Sequence, residues 1–599
     1  MGAWARAGVV AVACLGAAGV ALLFFFPLLQ AVGPRLSALK AVPTPVEFVI
    51  FDHSTYLAIA RNAQSGVSVF TEPFTGTGSS IYPPGYYWAI GELARLPGLD
   101  VVAVWNLAGI LTVLGLVAMC GAWARFLVRD MRVWLLAPVP LLVGTLAWWV
   151  HGEWLGLYRN NSVVLWAPSA IVAMGTAEGF GMLLMGLVLL LLTVATVTAV
   201  RRRRLLAAGL AGVLLGLLFH VHAYVAIYTT AMVVGLLLAE DHLRRPRRRR
   251  LLTGCGVLLA TLVVLRLAGG AVAPTTKIGL LIVVAAALLV ERREWRTRLG
   301  TAALALVVPA LLMAAPYLLR LASEAADDNS FFNQRQAQNE GRDLTLPVTS
   351  VLWHELPVLV LAAVAIAGVW RLRRDLDRAV PWLALLIAAV VVTPLLTWNH
   401  LWGVDQEPYR FLPYGVFLIT VAGVPWLWVA FRRLDRRWIG AEALAAALLL
   451  ATIPTTAVWA RGMDRAGSLP DDPNVRLADQ RLAEITGGQL TLLDGCFNPE
   501  LTRLHGGPNV VRYHPGLAFP ANLEAVNAVL AKRVTADIGT ARELRAANIR
   551  WYATHTACNG TPIAEARRVL GPPVATFPMP EPELYGNPPG TRYQVYRVP

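Results

Sequence analysis

Lysine is nearly absent from this chain: Lys40, Lys277 and Lys532 are the only three, and every other basic residue is arginine. With abundant Ala, Leu and Val, that bias suggests a GC-rich bacterial genome. Charge is scarce in the apolar runs as well. Arg266, Arg320 and His220 fall toward run ends, and mid-run ionisable groups are almost missing. A proton- or ion-coupled transporter needs such groups near the bilayer midplane, so their absence argues against transport. Cysteine is also rare. Cys14, Cys120 and Cys255 sit in apolar runs, as small hydrophobes do. Cys496 and Cys558 lie in the polar C-terminal part.

What is present is apolar: 56% of the 599 residues are hydrophobic, arranged in repeated runs of bilayer-spanning length. Thirteen spans are expected, near 6–31, 101–122, 133–150, 179–200, 205–222, 223–240, 251–268, 274–291, 299–320, 351–370, 380–398, 411–431 and 439–459. The first is too long for a signal-peptide core and reads as a retained helix. The net charge of +15 does not point to nucleic acid, because the basic residues fall in short clusters between apolar runs. Alternate loops, among them "RRRR" at 201–204 and "RRPRRRR" at 244–250, hold 26 Lys and Arg. The opposite loops up to residue 410 hold 8. Cytoplasmic loops retain positive charge, so the N-terminus is expected in the cytoplasm and residues beyond about 460 outside the plasma membrane. The expected fold is a polytopic α-helical membrane domain, 1–460, followed by an extracytoplasmic α/β domain, 461–599. In the latter, strand-like "QLTLLDG", "IRWYATHTA" and "RYQVYRV" alternate with helix-like "NLEAVNAVLAKR" and "TARELRAAN". Cys496 and Cys558 each follow or end a strand in an oxidising compartment, so they are candidates for a disulfide.

The expected outer loop 32–100 carries the most information. "DHSTYLAIARNAQSG" reads as a short amphipathic helix closed by Gly66, and "SSIYPPGYYWAIGELARLPG" starts a second one at Pro83 and Pro84. Two interfacial helices with an aromatic belt that includes Tyr82, Tyr86 and Tyr87 are expected. An acid after the first span, then "YLAIAR", then "YPPGYYWAIGELARL" resembles the opening of the GT-C superfamily of membrane glycosyltransferases, which use polyprenyl-phosphate-linked sugars. Within it, "YPPGYYW" is most similar to actinobacterial cell-envelope arabinosyl- and mannosyltransferases.

The resemblance implies transfer of a sugar from a polyprenyl-phosphate donor to a cell-envelope glycan or lipid acceptor, at the outer face and with inversion. It implies that Asp52 is the base acting on the acceptor hydroxyl; read from the residues alone, Asp52 is equally a helix N-cap. His53 stands where many family members carry a second acid, which puts a metal-binding role in doubt; it is an orienting partner or a polar contact. Glu153 is the second acid considered, against a plain interfacial charge. The resemblance places the donor phosphate near Arg410 and near His220 or His222, with Tyr82, Tyr86 and Tyr87 on the acceptor side. Arg410 could equally snorkel at a span end, and the His pair could simply fix a turn. At i, i+2 the two histidines do not form a helical metal pair, so zinc is not expected there; no cofactor is expected beyond the lipid-linked donor as substrate, and dependence on a divalent metal stays open. "GVLLG" at 212–216 matches a helix-packing pattern. The polar loop 323–345 either orders on ligand binding or is a tether. The competing readings are a lipid-glycan transporter or scaffold without transferase chemistry, and a ligase moving a preassembled glycan.

Overall fold

The computed structural model describes residues 47–142, 176–268, 300–325, 348–434 and 473–599, less short gaps within them, and isolated positions at Gly8 and between 277 and 287; for 47–54 it describes the helix but not the side chains. In chain order the first elements are α1 (Glu47–Gln64), β1 (Ser79–Ser80), α2 (Gly85–Leu93) and α3 (Val101–Val128). Then come α4 (Thr176–Val197), α5 (Arg201–Val221), α6 (Ala223–Arg244), α7 (Arg248–Leu267), α8 (Gly300–Ala325), α9 (Leu356–Arg371), α10 (Ala379–Thr397) and α11 (Leu412–Leu434). The C-terminal part holds α12 (Pro473–Thr486), β2 (Thr491–Leu493), α13 (Pro499–Leu504), β3 (Ala518–Phe519), α14 (Leu523–Val534), α15 (Ala541–Ala546), β4 (Trp551–His555), α16 (Ile563–Leu570), β5 (Ala575–Pro578) and β6 (Arg592–Arg597).

Among the described residues, seven helices are long and apolar enough to cross a membrane: α3, α4, α5, α6, α8, α10 and α11. The chain is a multi-pass, mostly helical membrane protein. Apart from Gly8, the expected spans at 6–31 and 439–459 lie outside the described residues. Two others depart from a plain span. Around 133–150 the described part is a 3-10 turn, Met131–Leu136, and then Val139–Leu142, because Pro138 and Pro140 withhold backbone donors. At 351–370 the helix breaks at Glu355, between Val348–His354 and α9, whose second residue is Pro357.

The chain divides into two compact units. The first comprises Met1–Phe26, Ala108–Arg320 and Gln336–Arg465. Close helix approach in it uses glycine: a Cβ on Gly212 would lie 2.1 Å from the Leu306 carbonyl oxygen, and one on Gly216 2.6 Å from that of Ala310. The "GVLLG" pattern therefore seats α5 directly on the α8 backbone. Loops sort to two ends. Asp130 pairs with Arg432 at 2.5 Å, and Arg378 donates to the Phe126 carbonyl, joining three of the Arg-rich loops. At the other end Arg266 donates to the His400 carbonyl (3.2 Å) and Lys277 to that of Gly403 (2.6 Å). The partition matches the alternation read from charge.

The second unit comprises Pro27–Leu107, Leu321–Arg335 and Ala466–Pro599. Its four-stranded sheet has the order β2-β4-β6-β5, with β2 parallel to β4 and the other pairs antiparallel. Alternation along the strands loads both faces. Leu492, Tyr552 and Tyr596 meet Val529, Leu544 and Leu570 on one side. Leu493, Ala553 and Val595 form the other side with Leu482, Phe577, Ala58 and Phe74. Ala58 and Phe74 belong to the expected outer loop, so that loop is part of the core of the C-terminal unit. A division at 460 separates residues that fold together. β1 also pairs with β3 (Ser79 with Phe519, Ser80 with Ala518), and the Val510 amide donates to the Phe74 carbonyl at 2.8 Å. Cys496 and Cys558 are joined by a disulfide with Cα atoms 5.6 Å apart.

Candidate functional site

In the second unit, α1 is neither short nor interfacial. It runs from Glu47 to Gln64, and Thr55 through Ala60 are all buried. Asp52 is its sixth residue, so the N-cap alternative falls: a cap must sit outside the first turn. The β-branched, aromatic run "VEFVIF" hides that start, because it reads locally as strand. Asp52 lies one turn before Tyr56, and His53 one turn before Leu57.

Downstream the helix is firmly held. A Cβ on Gly91 of α2 would come 2.3 Å from the Ala60 carbonyl oxygen, so the two helices touch at backbone distance. At the C-terminus of α1, Arg95 donates to the carbonyls of Ala63 (2.5 Å) and Gln64 (3.2 Å), supplying the cation that helix ends favour. Tyr56 stacks on Tyr87 at 5.1 Å and faces Tyr82 at 4.9 Å; Tyr87 stacks in turn on Trp105 at 5.7 Å, with Tyr86 edge-on at 5.6 Å. The tyrosines expected as an interfacial belt are an inward stack, while Trp88, Leu93 and Leu96 are the exposed side of this segment.

Below the stack is a buried polar lock. Glu72 accepts from the amides of Phe74 (3.1 Å) and Thr75 (2.6 Å) and from the Thr75 hydroxyl (2.5 Å). Burial pushes its carboxyl up to about 7 in spite of those donors and the Arg503 charge. Arg503 donates to the Pro73 carbonyl (3.0 Å) and to Asn62 Oδ1 (3.1 Å); burial, with Arg61 nearby, brings it down to about 10. Beside it is a cavity of about 220 Å³ lined by Arg61, Asp100, Arg476, Gln480 and His505, with Val101, Val102 and Leu504 as apolar wall. Asp479 takes the Nδ1 side of His505 at 2.6 Å, which orients its ring. Cys496, His555 and Cys558 bring potential metal-ligand atoms within 4.8 Å of one another, but the two sulfurs are bonded to each other and offer no thiolate.

In the first unit, three separated segments converge on Glu178. It lies in the first turn of α4, 7% exposed. Tyr414, in the first turn of α11, donates its hydroxyl to Oε1. Arg410 Nη1 lies 3.7 Å from Oε2, and His222 Nε2 lies 3.9 Å from the same oxygen. Arg410 also sits over the Tyr224 ring, 5.5 Å from its centroid. Two of the expected phosphate ligands thus meet at one buried carboxylate. His222 occupies the extended residue between α5 and α6, where a break in the helix lets its ring turn toward α4. His220, still within α5, instead bonds the Met313 carbonyl at 2.7 Å, and so belongs to the α5–α8 packing.

Glu178 did not emerge from the sequence. It stands alone in "TAEGFGMLLMG", next to an apolar run, and without a partner in view it reads as a first-turn charge. The signal available was its type and place: an acid within a turn of the bilayer edge, on the side holding Arg410. Glu153 and most of the 323–345 loop lie outside the described residues.

No protein-family model matches this chain, and no curated protein does. Among solved structures the chain is similar to ArnT from Cupriavidus metallidurans bound to undecaprenyl phosphate, with 13% identity, 98% of this chain and 97% of that chain covered, and a TM-score of 0.48. It is also similar to ArnT from the same organism in the apo state, with 13% identity, 91% and 93% covered, and a TM-score of 0.41. A likeness this loose carries neither fold nor activity across.

Proposed function

We propose that the protein is a GT-C-type glycosyltransferase, moving a sugar from a polyprenyl-phosphate donor to a cell-envelope glycan or lipid acceptor at the outer membrane face. The observation that carries this reading is the meeting of Arg410 and His222, from two different loops, at one buried point beside apolar helices. A lipid-linked phosphate needs that combination: a cationic pocket for its oxygens and apolar surface for its chain. Glu178 and Tyr414 hold Arg410 and His222 in place before the donor arrives.

In the proposed reaction, Asp52 accepts the proton of an acceptor hydroxyl as that oxygen attacks the anomeric carbon. The bond from carbon to phosphate oxygen breaks, and polyprenyl phosphate leaves with the electron pair. Arg410 and His222 stabilise the charge gathering on the leaving phosphate. Attack on the face opposite the leaving group inverts the centre. Tyr82, the half-buried member of the stack, lies on the acceptor side with Tyr86 and Tyr87 packed behind it, and the Arg61–His505 cavity offers donors and an oriented imidazole for acceptor polar groups. Arabinofuranosyl transfer in an actinobacterial envelope is the particular form that "YPPGYYW" suggests.

The test is turnover by the purified protein of synthetic polyprenyl-phosphate sugars on simple glycan acceptors. Asp52→Asn is expected to lose roughly 100-fold or more in kcat, the usual share of a general base. Arg410→Gln is expected to weaken donor binding and turnover together. Full activity in Asp52→Asn removes the base assignment, and donor handling unchanged in Arg410→Gln removes the phosphate site.

A further inference from the structure

In the second unit, the cavity of about 220 Å³ lined by Arg61 and His505 brings together two groups with unfilled bonding capacity. The first is His505, whose residue is 2% exposed. Asp479 takes its Nδ1 at 2.6 Å and is itself fixed by the Thr502 hydroxyl at 3.1 Å. A carboxylate at that position draws the ring proton to Nδ1, which leaves Nε2 of the neutral ring as an acceptor. Nε2 is buried and has no hydrogen-bond partner among the described residues. A buried polar atom in that state is costly, and a hydroxyl that reaches it removes the cost.

The second is Arg61, half-buried on α1. Its Nη1 donates to Gln64 Oε1 at 2.7 Å, a neutral partner, and among the described residues it makes no ion pair. Asp100 acts on it only at longer range, against the like charge of Arg476, and those two pair with each other at 3.7 Å. Nη2 is seated against Gly506, whose φ of +86 suits glycine and where a Cβ would lie 2.8 Å from that nitrogen. The lining therefore carries two guanidiniums and one carboxylate, with Gln480 as a neutral amide. One net positive charge suits a single carboxylate better than a phosphomonoester, which carries about −1.5 to −2. The volume lies below the ~300–1,000 Å³ of sites for drug-sized ligands and suits a single ring.

We propose that this cavity is a subsite for an acidic sugar residue of the acceptor glycan. The sugar's carboxylate accepts from Arg61, a ring hydroxyl donates to His505 Nε2, and its C–H face lies on Val101 and Leu504. Arg61 follows Asp52 by nine residues in the same helix, about 13 Å along the axis at the helical rise. One sugar ring does not bridge that distance, so the residue held here lies further along the glycan than the one that reacts. The subsite thereby selects a charged glycan over a lipid acceptor. Its role toward an acceptor rests on the transferase reading, whereas occupancy of the cavity does not, and the two are measured separately.

Binding is measured first, without donor, by isothermal titration of the full-length protein in detergent with galacturonate, galactose, acetate and inorganic phosphate. Galacturonate is expected to bind saturably and about tenfold or more tighter than each of the others, the share of one charge-assisted hydrogen bond. Arg61→Gln is expected to bring galacturonate down to the level of galactose. If that variant fails to fold, Arg61→Lys, which keeps the charge and loses the planar fork, is expected to lose a few-fold. His505→Gln is expected to weaken galacturonate and galactose alike. Galactose, acetate or phosphate binding as well as galacturonate, or a preference unchanged in the Arg61 variants, overturns the proposal. Turnover is measured second, with acceptor oligosaccharides that differ only in a uronate away from the reacting end. The uronate acceptor is expected to show the lower KM, an advantage that Arg61→Gln removes, and equal KM values overturn the acceptor role. Galacturonate binding without turnover of any acceptor counts against the transferase reading and for the sugar site.

Discussion

At the scale of single residues, the buried acid Glu72 makes a measurable statement about stability. Its folded pKa of about 7 lies above its ordinary value of 4.5, so the folded state binds its proton more tightly than the unfolded chain does. Its contribution is complete below pH 4.5 and is lost as the pH rises toward 7. The full shift corresponds to on the order of 3 kcal/mol, an upper figure because other groups titrate in the same range. Chemical unfolding from pH 4 to pH 8 is expected to show stability falling across that window in the wild type. In Glu72→Gln the fall is expected to be smaller by that amount. Parallel curves for the two proteins would mean that the carboxyl is already ionised in the fold.

At the scale of elements, contact at backbone distance does most to define the membrane unit. Gly216 has 2.6 Å between its hypothetical Cβ and the Ala310 carbonyl oxygen, so no larger side chain fits without parting α5 from α8. Gly216→Leu is expected to cost about 1–3 kcal/mol or more, read as a lowered unfolding temperature in detergent. Separation of those helices also breaks the His220–Met313 bond, which histidine NMR reports independently. In the other unit the Cys496–Cys558 bridge closes 62 residues of chain. On the chain-entropy view, reduction or a Cys496→Ser, Cys558→Ser pair is expected to destabilise the sheet by up to about 4 kcal/mol. Unfolding measured with and without a reducing agent tests this, and unchanged stability would show that the reduced chain stays as constrained as the bonded one.

At the scale of the whole molecule, the loop containing Asp52 and the C-terminal sheet share a core, which places both on one side of the membrane. Charge asymmetry alone says which side. Single cysteines placed at Arg203 and at Glu524, in a background lacking the free cysteines, are expected to react oppositely with an impermeant maleimide. Glu524 labels in intact spheroplasts, and Arg203 labels only after lysis. Labelling of both from one side would break the alternation on which the outward position of Asp52 rests.

The sequence by itself determined the membrane class, the sorting of loops into two ends, the paired Cys496 and Cys558 as candidates, and three of the four sheet strands. All of these follow from local composition: apolar run length, charge between runs and alternation within a strand are written residue by residue. It misjudged where α1 begins, because "VEFVIF" has strand-like propensity, while further along the same helix Ala58 packs in the sheet's core and Ala60 meets α2 at backbone distance. It divided the chain at 460, since nothing local in Ala58 or Phe74 announces a sheet some 430 residues further on. The partners of Arg410 and His222 were equally invisible. A carboxylate gains its meaning from what surrounds it, and Glu178 meets Arg410 and His222 only when residues 178, 222 and 410 are brought to one point. Tertiary structure alone decided those long-range pairings, because burial and Coulomb attraction depend on distance in space and not along the chain.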